Sequence, residues 1–326
     1  MNMDSISTTR TKLTELRSNL QIGKIFSSLG KSAGQIIDAS SHDFPVSEVE
    51  LPDENDGIQE LLARLKSGMR EGSLTEVTDH ELLELVSHLG SPNINIRDKG
   101  IFYLFNDLVQ HQILSKEQMT LVFDELISDE MLLSHIFEEQ NDAAYQRSFS
   151  VMLLSTLIYI DRAGFQFIDS ERRNKLVDQI ALYIVLENDT RGYNGSNGWI
   201  HAYTHIGNIL DEISSDTELI RADKLLLMGI LIEKYRRIRT PLIFGEPSRL
   251  ATYLADQLQE DDLYVQYALI ALREWRRAIA GVRVRETEGM WHAMFNRQRL
   301  LQAMLLNPNT PKDVVDYLED TNDFMM

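Results

Sequence analysis

The 326-residue chain has no cysteine, which excludes disulfides, thiolate nucleophiles and cysteine-built zinc fingers. Its N-terminus, M-N-M-D-S-I-S-T-T-R, lacks the charged-then-apolar layout of a secretory signal, and a cytoplasmic protein is the expectation. Proline (7) and glycine (17) are scarce, so little interrupts long helices. Strand-like alternation is almost missing. The longest apolar runs, residues 151–160 and 225–232, are too short for the ~20 residues of a bilayer crossing, so no membrane span is expected. Positive charge is also short: 32 Lys+Arg stand against 50 Asp+Glu, a net charge of −18. Such a chain lacks the broad positive field that non-specific nucleic-acid binding requires. A G-x-S-x-G elbow and the dinucleotide fingerprint are both absent. S-S-L-G-K-S at residues 27–32 is only part of a phosphate-loop pattern, with the wrong glycine spacing. No cofactor is expected.

The sequence does have helical periodicity. Ile58, Leu61, Leu62 and Leu65 form one stripe. Thr78-Asp79 starts another helix, and Ser115 with Gln118 three residues on reads as a capping box. Residues 149–160 form the most apolar helix. Ser170-Glu171 opens the next, and residues 219–238 are apolar enough to be buried on more than one side. Pro247 suits a first helical position. Further helices are expected over 263–279, 290–306 and 314–318. The fold class is therefore all-α, with antiparallel helical hairpins stacked as a HEAT/armadillo-like α-α superhelix. L-L-N-P-N-T-P-K-D-V-V-D-Y-L looks like one helix-turn-helix unit of such repeats. Residues 1–55 read as a flexible arm and acidic linker, with a short amphipathic helix over 11–26. Residues 56–326 read as a single helical domain.

One stretch concentrates polar and special-geometry residues: E-N-D-T-R-G-Y-N-G-S-N-G-W-I-H-A-Y-T-H-I-G-N-I-L-D-E-I, residues 187–213. Gly192, Gly195 and Gly198 permit a tight loop, and Asn197 or Ser196 could cap the helix after it. His201 and His205, four residues apart, share a helix face with Asn208 and Glu212. Asp189 and Arg191 enter from the loop. One reading is a pocket or metal site built from Asp189, Arg191, Trp199, His201, His205 and Asn208, with His201 and His205 as the metal ligands if there are any. The familiar zinc-protease form is excluded, because Ala202 stands where its glutamate would. The other reading is structural: two imidazoles hydrogen-bonded so as to fix the loop to its neighbours.

A second constellation is basic. Residues 234–299 carry 12 Lys+Arg against 8 Asp+Glu, an excess of +4 that leaves −22 elsewhere. Lys234, Arg236, Arg237 and Arg239, then Arg273, Arg276 and Arg277 around Trp275, then Arg283 and Arg285, suit phosphate or acidic-peptide recognition. The alternative is a solvated face that pairs with acidic residues.

Five blocks carry a resemblance: L-G-S-P-N-I-N-I-R-D from Leu89, L-S-K-E-Q from Leu114, R-S-F-S-V-M-L-L from Arg147, D-T-R-G-Y-N-G-S-N-G-W-I-H-A-Y-T-H-I-G-N-I-L-D from Asp189, and G-E-P-S-R-L-A from Gly245. In this order, over residues 58–260, the chain resembles a bacterial family called domain of unknown function 2785. The resemblance implies an all-helical, HEAT-like fold and no assigned reaction. Asn208 stands where an acid would be expected three residues after the second histidine, which weakens a metal role. The function expected is a non-catalytic scaffold that binds another protein. The alternative is a hydrolase or small-ligand or metal-binding protein that uses the two histidines and the loop before them.

Overall fold

Short polar side chains set many of the helix starts. Thr78 and Ser115 each close a capping box, with Glu81 and Gln118 respectively, so that each pair satisfies two main-chain donors reciprocally. Gly72, at φ +66, ends the helix Ile58–Glu71 and donates to the carbonyls of Gly68 and Met69. The computed structural model describes residues 2–40, 44–138, 140–281 and 286–325. Among them the chain is all-helical, with no strand and two isolated bridges, Phe44 to Glu138 and Tyr193 to Trp199. No helix there is long and apolar enough to cross a membrane.

Contacts divide the chain into two compact units, neither contiguous in sequence. One comprises residues 1–42, 175–190 and 206–326; the other comprises 43–174 and 191–205. This differs from the expected division at residue 55.

In the first unit the N-terminal residues are a packed helical pair, which corrects the expectation of a flexible arm. Helices Asn2–Gln21 and Leu29–Ser40 pack on each other and on Arg221–Tyr235. Leu13, Leu16 and Leu20 form one buried stripe; Leu29, Ala33, Ile36 and Ile37 form the other. The Ser/Thr content that suggests disorder is absorbed locally. The hydroxyls of Thr9, Thr11, Thr14 and Ser18 each donate to the carbonyl four residues earlier. Arg17 is buried, and its guanidinium grips Asp223 by two bonds of 2.8 and 2.6 Å. Gly229 is needed where Leu29 lies against it, since a Cβ there would stand 2.8 Å from both Leu29 and the Tyr267 hydroxyl. Leu225 to Tyr235 are all buried, as their apolar run leads one to expect. Farther along, Glu246–Glu260 packs on Glu288–Leu306 and Asp262–Ala280, and the last of these on Lys312–Asp320. Asn296 knots these elements: it accepts from the Leu242 amide, and it donates to the Thr240 carbonyl.

The second unit is built around the helix Ala143–Ile160, whose side chains are nearly all buried. The turn at His88–Gly90 and helices Lys116–Leu126 and Asp129–Leu132 pack on it. A π-helical turn, Arg97–Phe102, adds one residue per turn and rotates Arg97 into the core. Gly100 makes this possible, because a Cβ there would lie 2.7 Å from the Asn95 carbonyl oxygen.

Candidate functional site

Residues 191–205 belong to the second unit and fold back on themselves. The Ile200 amide donates to the Gly192 carbonyl at 2.9 Å and the Asn194 amide to the Gly198 carbonyl at 2.8 Å. Gly195 (φ +52) and Gly198 (φ +75) supply the left-handed turns. The helix begins only at Ala202, so Ser196 and Asn197 lie outside its first turn. His201 stands immediately before that helix at φ +55, a conformation uncommon outside glycine. Tyr193 and Trp199 face each other across the loop, edge to face, with ring centroids 4.8 Å apart. They are 50% and 37% exposed.

The loop rests on Arg97. This guanidinium is fully buried and flanked by the rings of Tyr145 at 4.4 Å and Phe149 at 4.7 Å. It donates to the carbonyls of Ser91 (2.7 Å), Asn197 (2.8 Å) and Trp199 (3.4 Å). Its Nε lies 2.7 Å from Asp98 Oδ1, close enough for charge pairing but not aligned for a hydrogen bond. Tyr145 also accepts from the Asn194 side chain at 2.9 Å. Arg97 is therefore the central residue of the site, although in the sequence it stands out only as part of L-G-S-P-N-I-N-I-R-D. Its one local signal is an arginine directly after the apolar Ile94 and Ile96.

The two imidazoles have different surroundings. His205 is buried, its ring edge-on to Phe149 at 5.4 Å and its Nδ1 2.8 Å from the Ser148 carbonyl oxygen, so Nδ1 carries the proton and donates it. Burial pushes its pKa down to about 3; the Ser148 bond opposes that, and the charges of His201 and Arg97 reinforce it. His201 is half-buried, with its ring 4.0 Å from Trp199 and 6.2 Å from His205. Burial lowers its pKa as well. Its Nε2 is buried without a hydrogen-bond partner.

Of the other candidates, Arg191 donates to the Asn141 carbonyl. Arg147 meets the same residue at its side-chain oxygen, 3.3 Å, and the Ser134 carbonyl at 2.7 Å. Asp189 and Asn208 belong to the other unit. There Asn208 accepts from Arg249 at 2.6 Å, and Arg249 also pairs with Asp211. Asp189 is buried, and its amide donates to the Glu187 carboxylate at 2.8 Å. Among the described residues no group of three His, Cys, Asp or Glu side chains could hold a metal ion.

Ser47, His135 and Glu138 form a cluster that sequence spacing does not reveal. Ser47 donates to Glu138 at 2.6 Å, and His135 Nδ1 lies 3.1 Å from the Ser47 hydroxyl and 3.0 Å from Glu138. One imidazole nitrogen meets both partners, so the ring cannot relay a proton from serine to carboxylate as a nucleophilic triad does.

The basic constellation lies in the first unit and is split. Arg236, Arg237, Arg239 and Trp275 line a cavity of about 650 Å³. Arg273, Arg276 and Arg277 line a shallower hollow of about 360 Å³ with Tyr317. Arg283 and Arg285 lie outside the described residues. Lys234 is in neither cavity. It is buried, and its Nζ donates to the Val185 carbonyl and the Asn188 side chain, each at 2.8 Å. Burial pulls its pKa down to about 7, against the nearby Glu187 charge.

A family model described as Protein of unknown function (DUF2785) matches residues 132–306. The match leaves out the blocks from Leu89 and Leu114 and continues past residue 260, where the resemblance carried by those blocks ends. No curated protein matches. No solved structure matches.

Proposed function

The chain belongs to this family of proteins of unknown function, and within it we propose a non-catalytic, protein-binding role centred on the loop at residues 191–201. The exposed Tyr193–Trp199 pair on a buried base carries the proposal. Aromatic side chains of this kind dominate binding energy at protein interfaces, and a prebuilt pair loses little entropy on binding. Beneath the pair, Arg97, Arg191 and His205 are bonded to main-chain carbonyls. That arrangement suits a rigid support better than a reacting centre. The partner is another protein; a net charge of −18 disfavours nucleic acid. Consecutive helices joined by short turns, such as Glu246–Glu260 and Asp262–Ala280, support HEAT/armadillo-like hairpins as the building units. A cytoplasmic location completes the proposal.

The test uses a photo-crosslinking residue at position 193 of the full chain in native lysate. It is expected to capture a discrete protein that the same residue at exposed Tyr159 does not. Trp199→Ala should then weaken the purified complex about tenfold or more, with the unfolding midpoint unchanged. Equal capture at both positions, or unaltered affinity, rejects the role.

The orphaned Nε2 of His201 and its left-handed backbone favour a second reading, in which this nitrogen meets a small ligand or a metal. Calorimetric titration with Zn²⁺ separates the two readings. Saturable heat that His201→Ala removes supports the second, and a flat titration ends its metal form.

A further inference from the structure

The larger cavity of the first unit has not entered the proposal above. Its volume, about 650 Å³, falls in the range of sites for small organic ligands. One side is apolar: Trp275, Ile279, Met290, Trp291 and Met294 line it. Trp275 is held rigidly, edge-on to Tyr235 at 6.3 Å and to Phe324 at 5.7 Å. Trp291 is 49% exposed and stacks with Phe295. Methionines between indoles make an adaptable apolar wall.

The other side is charged, with Asp38, Glu286 and Asp323 among its arginines, and the cations are unequally matched. Arg237 is paired with Asp38 at 2.7 Å and with Glu233, and Arg236 is paired with Glu233 at 2.9 Å. Asp323, also on the lining, is taken by Arg276 at 2.8 Å. Arg239 differs. Its Nη1 donates only to the carbonyls of Arg236 and Ile238, at 3.0 and 3.2 Å. Among the described residues no carboxylate lies within ion-pair distance of it. Arg239 is an exposed residue; partial desolvation and the neighbouring Arg237 and Arg236 charges lower its pKa, and Asp38 opposes them. Gly289 lets the helix Glu288–Leu306 start against this arginine, since a Cβ there would stand 3.2 Å from Arg239 Cβ.

We propose that this cavity binds a small amphiphilic anion, with its apolar body against Trp275, Met290, Trp291 and Met294 and its acidic head at Arg239. A wall of indoles and thioethers takes an aromatic ring or a short acyl chain alike. The guanidinium fork gives the head its place through charge-assisted hydrogen bonds.

The probe is 1-anilinonaphthalene-8-sulfonate, titrated into the folded full chain. Saturable one-site binding with energy transfer from tryptophan is expected, together with displacement by decanoate or 2-naphthoate. Displacement by decanoate alone assigns an acyl body, and by 2-naphthoate alone an aromatic one. Uncharged N-phenyl-1-naphthylamine should bind about tenfold more weakly, and Arg239→Gln should weaken the sulfonate by about the same factor. Arg277→Gln, outside this cavity, should change nothing. Circular dichroism should show both variants folded. Equal binding of the neutral dye, an unaffected Arg239→Gln, or the absence of saturable binding overturns the proposal. So does a concentration-dependent dimer that the dye dissociates, because a second copy would then be the occupant.

Discussion

At the scale of single residues, the second unit is organised by charged or chargeable groups held by main-chain oxygen. His205 gives the sharpest consequence. Its folded pKa, about 3, lies below the ordinary histidine value of 6.5, so as pH falls the unfolded chain takes up the proton first. The stability from burying the neutral ring is complete above about pH 6.5 and declines as pH drops toward 3, by at most ~1.4 kcal/mol per pH unit. His205→Gln keeps a donor for Ser148 but does not titrate. Urea unfolding between pH 7.5 and 5 is expected to show a steeper loss in the natural chain than in this variant. Parallel slopes would mean that His205 is not buried in the neutral form. The sequence placed His201 and His205 on one helix face, yet His201 precedes the helix at φ +55 and only His205 is inside it. Arg97 was less legible still. Its partners are carbonyls of residues 197 and 199, a hundred positions away, and main-chain acceptors leave no mark in side-chain spacing.

At the scale of elements, legibility followed local chemistry. The capping boxes at Thr78 and Ser115, the break after Leu306 and the buried run from Leu225 are all readable, because each depends on neighbours within a few residues. The N-terminal helices were obscured because Ser and Thr lower helix propensity, whereas here their hydroxyls bond back within the helix and the leucine stripe decides. The π-helical turn that aims Arg97 has no periodicity of its own to read. The glycine-rich loop lies between these cases: its glycines announce a turn but do not say which one is indispensable. The backbone distinguishes them. Gly198 combines φ +75 with ψ −145, a region closed to other residues, and a Cβ there would come within 3.5 Å of Arg97. Gly195, at φ +52, faces open space. Gly198→Ala should cost about 1–3 kcal/mol and accelerate amide exchange at Ile200, whereas Gly195→Ala should cost about 1 kcal/mol and leave that exchange unchanged. Equal effects from the two would contradict the local geometry.

At the scale of the whole molecule, the sequence alone could not show that each compact unit is assembled from separated segments. An all-helical chain with no strict repeat gives no register by which to see that residues 1–42 return to 206–326. The family match, residues 132–306, coincides with neither unit, and this has a thermodynamic consequence. A fragment with those ends keeps Asp223, which is 3% exposed, but loses Arg17. Removing one partner of a buried ion pair costs about 3–5 kcal/mol. The fragment also loses Leu29, which packs against Gly229, and the whole Leu29–Ser40 helix that covers Arg221–Tyr235. In the other unit it retains the helix Ala143–Ile160 but loses Lys116–Leu126, packed on it, and Arg97 beneath the glycine-rich loop. Native stability of about 5–15 kcal/mol does not survive losses of this size. Residues 132–306 expressed alone should therefore show helical far-ultraviolet dichroism without a near-ultraviolet signal, and no cooperative urea transition. The full chain should show both. A sharp transition in the fragment would mean that the matched region carries its own core, and that Arg17 and Arg97 contribute far less than their burial implies.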